Sequence, residues 1–321
     1  MLAVGGLLVG SVDIPCQAVW RVLTGQDADL PPSWHFIIMG SRLPQIVTAM
    51  LAGACLSTAG LMMQTVFRNA LAGPDVFGIS SGAGLGVAVV MLLAGGEVAI
   101  GQMGITGSVA VLLAAFVGAM AVLAVILLCS SMVRSGAMLL VVGIMVGYLA
   151  SALIALLSYG ATEQGLRSYV VWGMGSFGGA SYAFLPVYVV TTSVLLLLSL
   201  LLIKPLNLLA LGDNYARNLG LDLRMARMAV LSLTGLLTAV VTAYCGPIAF
   251  VGLAVPHMAR LVIATANMRR LLPVTMLVGA AVAMLCHLLC FLPGEGGLLP
   301  VNAVTPLIGA PVIVYVILRR R

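Results

Sequence analysis

Charge is what this sequence has least of. Only 7% of its 321 residues are Asp, Glu, Lys or Arg, against about 25% in an ordinary soluble domain. Such a chain cannot cover itself with solvated groups, so a soluble globular fold is excluded. With 62% hydrophobic residues and a mean hydropathy of +1.19, it is read as an integral membrane protein. The alternating segments of about ten residues that mark a transmembrane barrel are missing. In their place stand long uncharged runs: Asp75 to Glu97, Glu97 to Arg134, Arg134 to Glu163, Arg167 to Lys204, Arg227 to Arg260 and Arg270 to Glu295. A helical span needs about 20 apolar residues to cross a core about 30 Å thick, so the expected fold is all-α, a polytopic helical bundle.

Other absences narrow the chemistry. There is no G-x-x-x-x-G-K-[ST] loop, so the chain has no phosphate cradle of its own for ATP. The six cysteines (Cys16, Cys55, Cys129, Cys245, Cys286, Cys290) lack metal-ligand spacing and read as small apolar core residues; no metal site is expected. No basic patch is interleaved with aromatics, so the net charge of +6 does not point to nucleic acid. No catalytic constellation is visible. Ionisable residues inside the spans would mark an ion relay; His287 is the exception, and it has no acidic partner nearby in sequence. It reads as a neutral histidine bonded to a backbone carbonyl. The N-terminus has no basic residue before Arg21 and no small-residue cleavage site, so it does not read as a cleaved signal peptide.

About ten spans are expected. Met1 to Val12 is too short to cross alone, so the first is abbreviated. Asp13 to Pro44, with Pro31-Pro32, reads as a polar loop. The later spans fall near Ile46–Val66, Gly78–Ala94, Val98–Val133, Gly136–Tyr159, Ala183–Ile203, Met228–Cys245, Val251–Ala264, Pro273–Leu292 and Asn302–Leu318. Ala161 to Tyr182 is a long loop whose Tyr169 and Trp172 suit a surface helix at the interface. A glycine-rich turn precedes the fourth span, and Pro293 to Pro300 reads as a turn. Twelve of the fifteen basic residues then fall on one side, and Arg21, Arg42 and Arg167 on the other. Six of nine acidic residues (Asp13, Asp27, Asp29, Glu97, Glu163, Glu295) lean to that other side. By the positive-inside rule both termini are cytoplasmic.

The polar stretch from Lys204 to Arg227 stands out. It holds four basic residues (Lys204, Arg217, Arg224, Arg227) and two acidic ones (Asp213, Asp222) between apolar segments. It reads as two short helices: the first capped by Gly212 or Asp213 and stopped by Gly220, the second capped by Asp222 and running into the seventh span. Tyr215 and Leu219 lie one turn apart with Ala216 beside them. Gly78/Gly82, Gly82/Gly86 and Gly143/Gly147 are small-residue pairs that let helices approach. Gly73-Pro74-x-x-Phe77-Gly78 is echoed by Gly246-Pro247-x-x-Phe250-x-Gly252 on the opposite side, the pattern of an inverted repeat.

In order along the chain come Arg42-Leu43-Pro44; Gln64, Arg68, Asn69, Leu71, Ala72 and Pro74 leading to Gly78-Ile79-Ser80-Ser81-Gly82-Ala83; and Trp172 to Phe177. They are followed by Gly212-Asp213-x-x-Ala216-x-x-Leu219-Gly220; Gly246 to Leu253 with Pro256, His257 and Arg260; Leu299-Pro300-Val301; and Gly309-Ala310-Pro311. With these motifs the chain resembles the FecCD family of ABC-importer permeases from about Leu7 onward. The resemblance implies one transmembrane permease domain over residues 1–321, multi-pass in a bacterial inner membrane. It implies a homodimer around a central pathway, above two cytoplasmic ATPase subunits that bind the ATP and Mg. No cofactor is expected in this chain. A periplasmic substrate-binding protein would dock outside, using Arg42. Gating would fall to the fifth span, Gly136 to Tyr159, and its loops.

The same resemblance makes Gly212, Asp213, Tyr215, Ala216, Leu219 and Gly220 the ATPase-coupling residues within a 204–227 loop. Gln64, Arg68, Asn69, Pro74, Gly252, Pro256, His257 and Arg260 form a structural motif. The cargo class is a siderophore or haem iron chelate, or cobalamin. Gln45 replaces the second arginine many relatives carry after Arg-Leu-Pro, and His287 and Phe291 replace their Asp and Arg in the ninth span. The alternative from another class is a secondary transporter driven by an ion gradient, which would need buried ionisable residues at mid-membrane.

Overall fold

A computed structural model describes residues 2–8, 10, 12, 14–26, 30–93, 107–133, 136–179, 182, 184–291 and 299–319. Asp13, Asp27, Asp29, Glu97, Arg134, Glu295, Arg320, Arg321, the glycine-rich turn before the fourth span and most of the turn from Pro293 to Pro300 lie outside the described residues. Every regular element among those described is helical. In chain order they are α1 (Leu2–Leu8), α2 (Cys16–Leu23), α3 (Pro32–Val66), α4 (Ile79–Leu93), α5 (Gly107–Met132), α6 (Gly136–Tyr159), α7 (Glu163–Gly173) and α8 (Leu185–Leu201). They continue with α9 (Ile203–Ala210), α10 (Asp213–Asn218), α11 (Leu223–Cys245), α12 (Val251–Ile263), α13 (Met268–Leu289) and α14 (Val301–Arg319). Among the described residues α3, α5, α6, α11 and α13 are long and apolar enough to cross a membrane. α8 and α9 make a sixth span bent by 52°, while α4, α12 and α14 are apolar but shorter. With the abbreviated α1, each of the ten expected segments is a helix.

Two boundaries differ from expectation. Asp13 to Pro44 is not a loop throughout: it contains α2 and the first third of α3. Pro32 sits in the first turn of α3, where its missing N–H costs nothing. Pro44 does not break the helix, because the chain widens into π-helix over Phe36–Arg42 just before it. There the Leu43 N–H reaches back to the Ile38 carbonyl. The wider turn absorbs the clash that a proline ring imposes on the preceding turn. The second difference is at Lys204. The stretch Ile203–Ala210 is helix rather than polar loop, with Leu206 and Leu209 buried in the core. The polar connection proper is therefore shorter, from Leu211 to Asp222.

The core is built on α3, which packs against α13, α11, α12 and α8. Its apolar residues face all round, as expected of a helix buried in a bundle. A Cβ on Gly60 would collide with the Gly252 carbonyl of α12, and one on Gly53 with the Gly279 carbonyl of α13. Backbone meets backbone there, the close approach that small residues permit. Gly82 and Gly86 do the same toward α5, whose Gly118 and Ala114 lie opposite. The packing partners also repeat: α3 lies on α13 as α11 lies on α5, and α4 contacts α6 as α12 contacts α14. Gly78 and Phe250, the residues before α4 and α12, both have left-handed backbone. This exchange supports the internal repeat suggested by the Gly-Pro echo. By contrast α6 and α8 are largely exposed on their outward faces.

Candidate functional site

At the basic end of the bundle the chain between α9 and α11 is set by local signals. Gly212 has φ +107°, a conformation closed to most side chains, and breaks the helix after α9. α10 begins at Asp213. It ends in a Schellman motif: Gly220 N–H bonds Arg217 O at 3.0 Å, Leu221 N–H bonds Ala216 O at 3.0 Å, and Gly220 takes φ +84°. Asp222 then caps α11, its carboxylate accepting from the N–H groups of Arg224 (2.9 Å) and Met225 (3.1 Å). The stop at Gly220 and the cap at Asp222 follow the sequence reading, and Gly212 rather than Asp213 takes the cap position of α10.

Side-chain directions refine the expected face. Tyr215 and Leu219 are 68% and 60% exposed. With Leu211 and Met225 they leave a run of large apolar groups in the open. Ala216 is not beside them but fully buried, so it serves the packing of α10 and not a surface. Asp213 also turns inward. Its Oδ2 accepts from Arg227 Nη2 at 2.7 Å, and Arg68 Nη2 lies 4.0 Å away. The short helix is thereby tied to α11 and to the residue that follows α3.

The eight residues of the structural motif sit together beside this loop. Arg260 Nη1 donates to Gln64 Oε1 at 2.7 Å, and Gln64 Nε2 donates to Leu253 O at 3.1 Å. His257 Nε2 lies 2.9 Å from Ala70 O; a carbonyl only accepts, so Nε2 carries the proton. Asn69 Oδ1 accepts from Leu71 N–H at 2.9 Å and shapes the turn. Pro74 opens the 3₁₀ turn Pro74–Phe77 and lies against Gly252, where a Cβ would come 2.8 Å from its Cδ. Pro256 has no N–H to offer the Gly252 carbonyl, and Gly60 fills the space before it. Together these contacts lock the turn after α3 onto α12. Arg68, with φ +45°, bridges from this lock to Asp213.

At the opposite end the findings depart further from expectation. Arg42 is only 5% exposed. Its guanidinium donates to the carbonyls of Leu7, Leu8 and Val12. Within this chain the Arg42 charge is turned to backbone and not outward as the docking expectation assumed: the end of α1 leaves carbonyls unpaired, and this arginine satisfies them. Gln45 donates to Ser41 Oγ within the same helix at 3.1 Å. His287 does not take the expected carbonyl bond. It lies edge-on between Phe177 and Phe291, with centroid distances of 5.7 and 5.1 Å. The short helix expected in this loop is α7, and its Tyr169 and Trp172 stack on each other and pack partly buried against the core. A cavity of about 400 Å³ opens beside them, lined in part by Met91, Gln164, Trp172 and Tyr244. Sequence reasoning passed over Asn302, which bonds two separate segments at this end, the end of α7 and the turn after α11. Its one visible signal is a lone amide at the start of an apolar span.

The chain matches the FecCD transport family over residues 1–319. It is 34% identical over 325 residues to the hemin transport system permease protein HmuU of Yersinia pestis, covering 100% of this chain and 93% of that one. It is also 34% identical over 318 residues to the vitamin B12 import system permease protein BtuC of Escherichia coli O6:H1, covering 98% and 94%. Among solved structures, an inward-facing metal-chelate type ABC transporter matches with a TM-score of 0.83 at 30% identity, over 99% of this chain and 95% of that one.

Proposed function

Since the chain belongs to the FecCD transport family, we propose that it is the permease subunit of an ATP-driven importer for a haem or siderophore iron chelate or for cobalamin. Two copies form the pathway in a bacterial inner membrane, with the basic end in the cytoplasm. Two ATPase subunits dock there and supply ATP hydrolysis, since this sequence has no phosphate loop. A periplasmic binding protein delivers the cargo to the end that carries α7. The observation that carries this reading is the loop from Leu211 to Asp222. It keeps Leu211, Tyr215, Leu219 and Met225 exposed on a frame fixed by Gly212, Gly220 and the Asp213 ion pair. Large apolar groups kept exposed on a rigid frame beyond the spans suit a protein partner. α6 is mostly exposed in the single chain, which suits a role in the shared pathway.

The ion-gradient alternative needs buried acidic or basic residues near mid-membrane; among the described residues no Asp or Glu lies within a spanning helix, while Arg42 and His257 are committed to backbone carbonyls and His287 to two aromatic rings. The deciding experiment is coexpression with a candidate ATPase, followed by purification and ATP-dependent uptake in proteoliposomes with the binding protein present. Copurification with uptake of haem, a ferric siderophore or cobalamin is expected. Absence of an ATPase in the purified complex, or uptake that follows an ion gradient without ATP, would overturn the reading.

A further inference from the structure

Helix α7 is anchored by few side chains: Tyr169 and Trp172 pack partly buried against the core. Of its eleven residues only Gly165 is buried. A free helix of that length is marginal in water, so its ends carry an unusual share of its stability. At the first end Thr162 Oγ1 accepts from the Gly165 N–H at 3.2 Å, an ordinary local cap. The last end has no local side-chain cap. The backbone N–H groups of Met174 and Gly175 meet the carbonyls of Val170, Val171 and Trp172; the last carbonyl of the helix, Gly173 O, and the Met174 O after it are left for donors from elsewhere, and these come from Asn302 at the start of α14.

Asn302 Nδ2 donates to Gly173 O at 3.1 Å, across 129 residues of sequence. Its backbone N–H donates to Met174 O at 3.1 Å. The same Nδ2 also donates to Pro247 O at 2.6 Å, and Oδ1 accepts from the Ala249 N–H at 3.0 Å. That single N–H donor fixes which way the amide points. One side chain thus joins the end of α7, the turn after α11 and the head of α14. The backbone around it is fitted to the same joint. Ser176 N–H bonds Cys245 O at 2.8 Å, and a Cβ on Gly175, at φ +72°, would lie 2.9 Å from Pro247 O.

We propose that Asn302 is a positioning residue, a remote cap that latches α7 to the turn after α11 and to α14, so that these parts of the outer mouth move as one piece during import. Its role in transport rests on the importer reading. The latch itself does not.

The test uses right-side-out vesicles holding the full chain with its ATPase and binding protein. Trypsin is added outside. Arg167 lies on α7 and reports its local opening; Arg21 lies on α2 and serves as the internal control. Cleavage in a helix requires local unfolding, so its rate follows the opening equilibrium. Asn302→Leu is expected to raise cleavage after Arg167 about tenfold relative to Arg21, the factor that about 1.4 kcal/mol confers. Asn302→Asp keeps the acceptor but loses both donors, and should do at least as much. Asn302→Gln keeps the amide and should fall between Asn302→Leu and the unaltered protein. In the same vesicles, cargo imported per ATP hydrolysed should fall severalfold in the Leu and Asp variants while hydrolysis persists.

Unchanged cleavage after Arg167 overturns the latch, and equal acceleration at Arg21 reduces Asn302 to a general stabiliser. Faster cleavage with undiminished import per ATP overturns the positioning role. If the unaltered complex imports nothing, the importer reading fails while the cleavage ratio still decides the latch. Should Asn302→Leu not reach the membrane, the Asp and Gln variants carry the same measurements.

Discussion

At the basic end, α10 is finished by its own neighbours: Gly212 before it, Gly220 after it and Asp222 opening the next helix. At the opposite end, α7 turns at Gly175 but takes the donor for its last carbonyl from Asn302, 129 residues further along. Both are short helices outside the apolar core. The first is self-contained and can present a surface while staying rigid. The second is tied at its end to α14 and to the turn after α11. A part that must receive a push is well served by local ties. A part that must respond to the rest of the bundle is well served by distant ones.

Four sites of substitution test this contrast. The largest effect should come from Tyr215→Glu with Leu219→Glu. Two exposed anchors at an interface centre are worth about 2 kcal/mol each when lost, so ATPase copurification should fall by about three orders of magnitude. The amount of permease in the membrane should not change, because neither side chain is buried. Loss of the permease itself would show that the face of α10 is structural.

Next is Arg42→Leu at the end opposite α10. It leaves the carbonyls of Leu7, Leu8 and Val12 without their donor, at about 1–3 kcal/mol for each buried group that water cannot reach. Lower thermal stability in detergent is expected, with binding-protein affinity intact in the fraction that folds. Lost affinity at normal stability would restore Arg42 as a docking residue.

Asp222→Ala should cost about 1 kcal/mol through loss of an N-cap, read as a lower melting temperature. The effect should be confined to the start of α11, where hydrogen exchange at Arg224 and Met225 rises. Smallest in stability is Asp213→Asn. The pair with Arg227 is partly exposed, and such pairs are worth about 1 kcal/mol or less. Uptake per ATP should fall more than stability does, and exchanging the charges in Asp213→Arg with Arg227→Asp should restore part of it. An equal fall in both would make the pair a simple brace.

The contrast between the ends also explains what could be read without coordinates. Gly220 and Asp222 were legible because a helix stop and a helix cap are chemistry between near neighbours. The positions of the spans were legible because hydrophobic length is a local property. Asn302 was not, since nothing near it in sequence shows which carbonyls it will meet. Arg42 read as an outward charge because the unpaired carbonyls of α1 lie more than 30 residues away. Pro44 read as the end of a loop because the π-helical widening that accommodates it has no sequence mark. Ala216 was placed on the face of Tyr215 by helical spacing, but a six-residue helix has room for only one exposed side, and packing chose another.

Gly60 and Gly252 meet with no side chain between them. A joint of this kind has no rotamers to exchange, so thermal motion cannot loosen it by degrees. It either stays shut or comes apart. The pair of α3 and α12 therefore behaves as a fixed fulcrum, and relative movement within the bundle falls to helices that meet their neighbours through side chains, as the glycine-free α8 does.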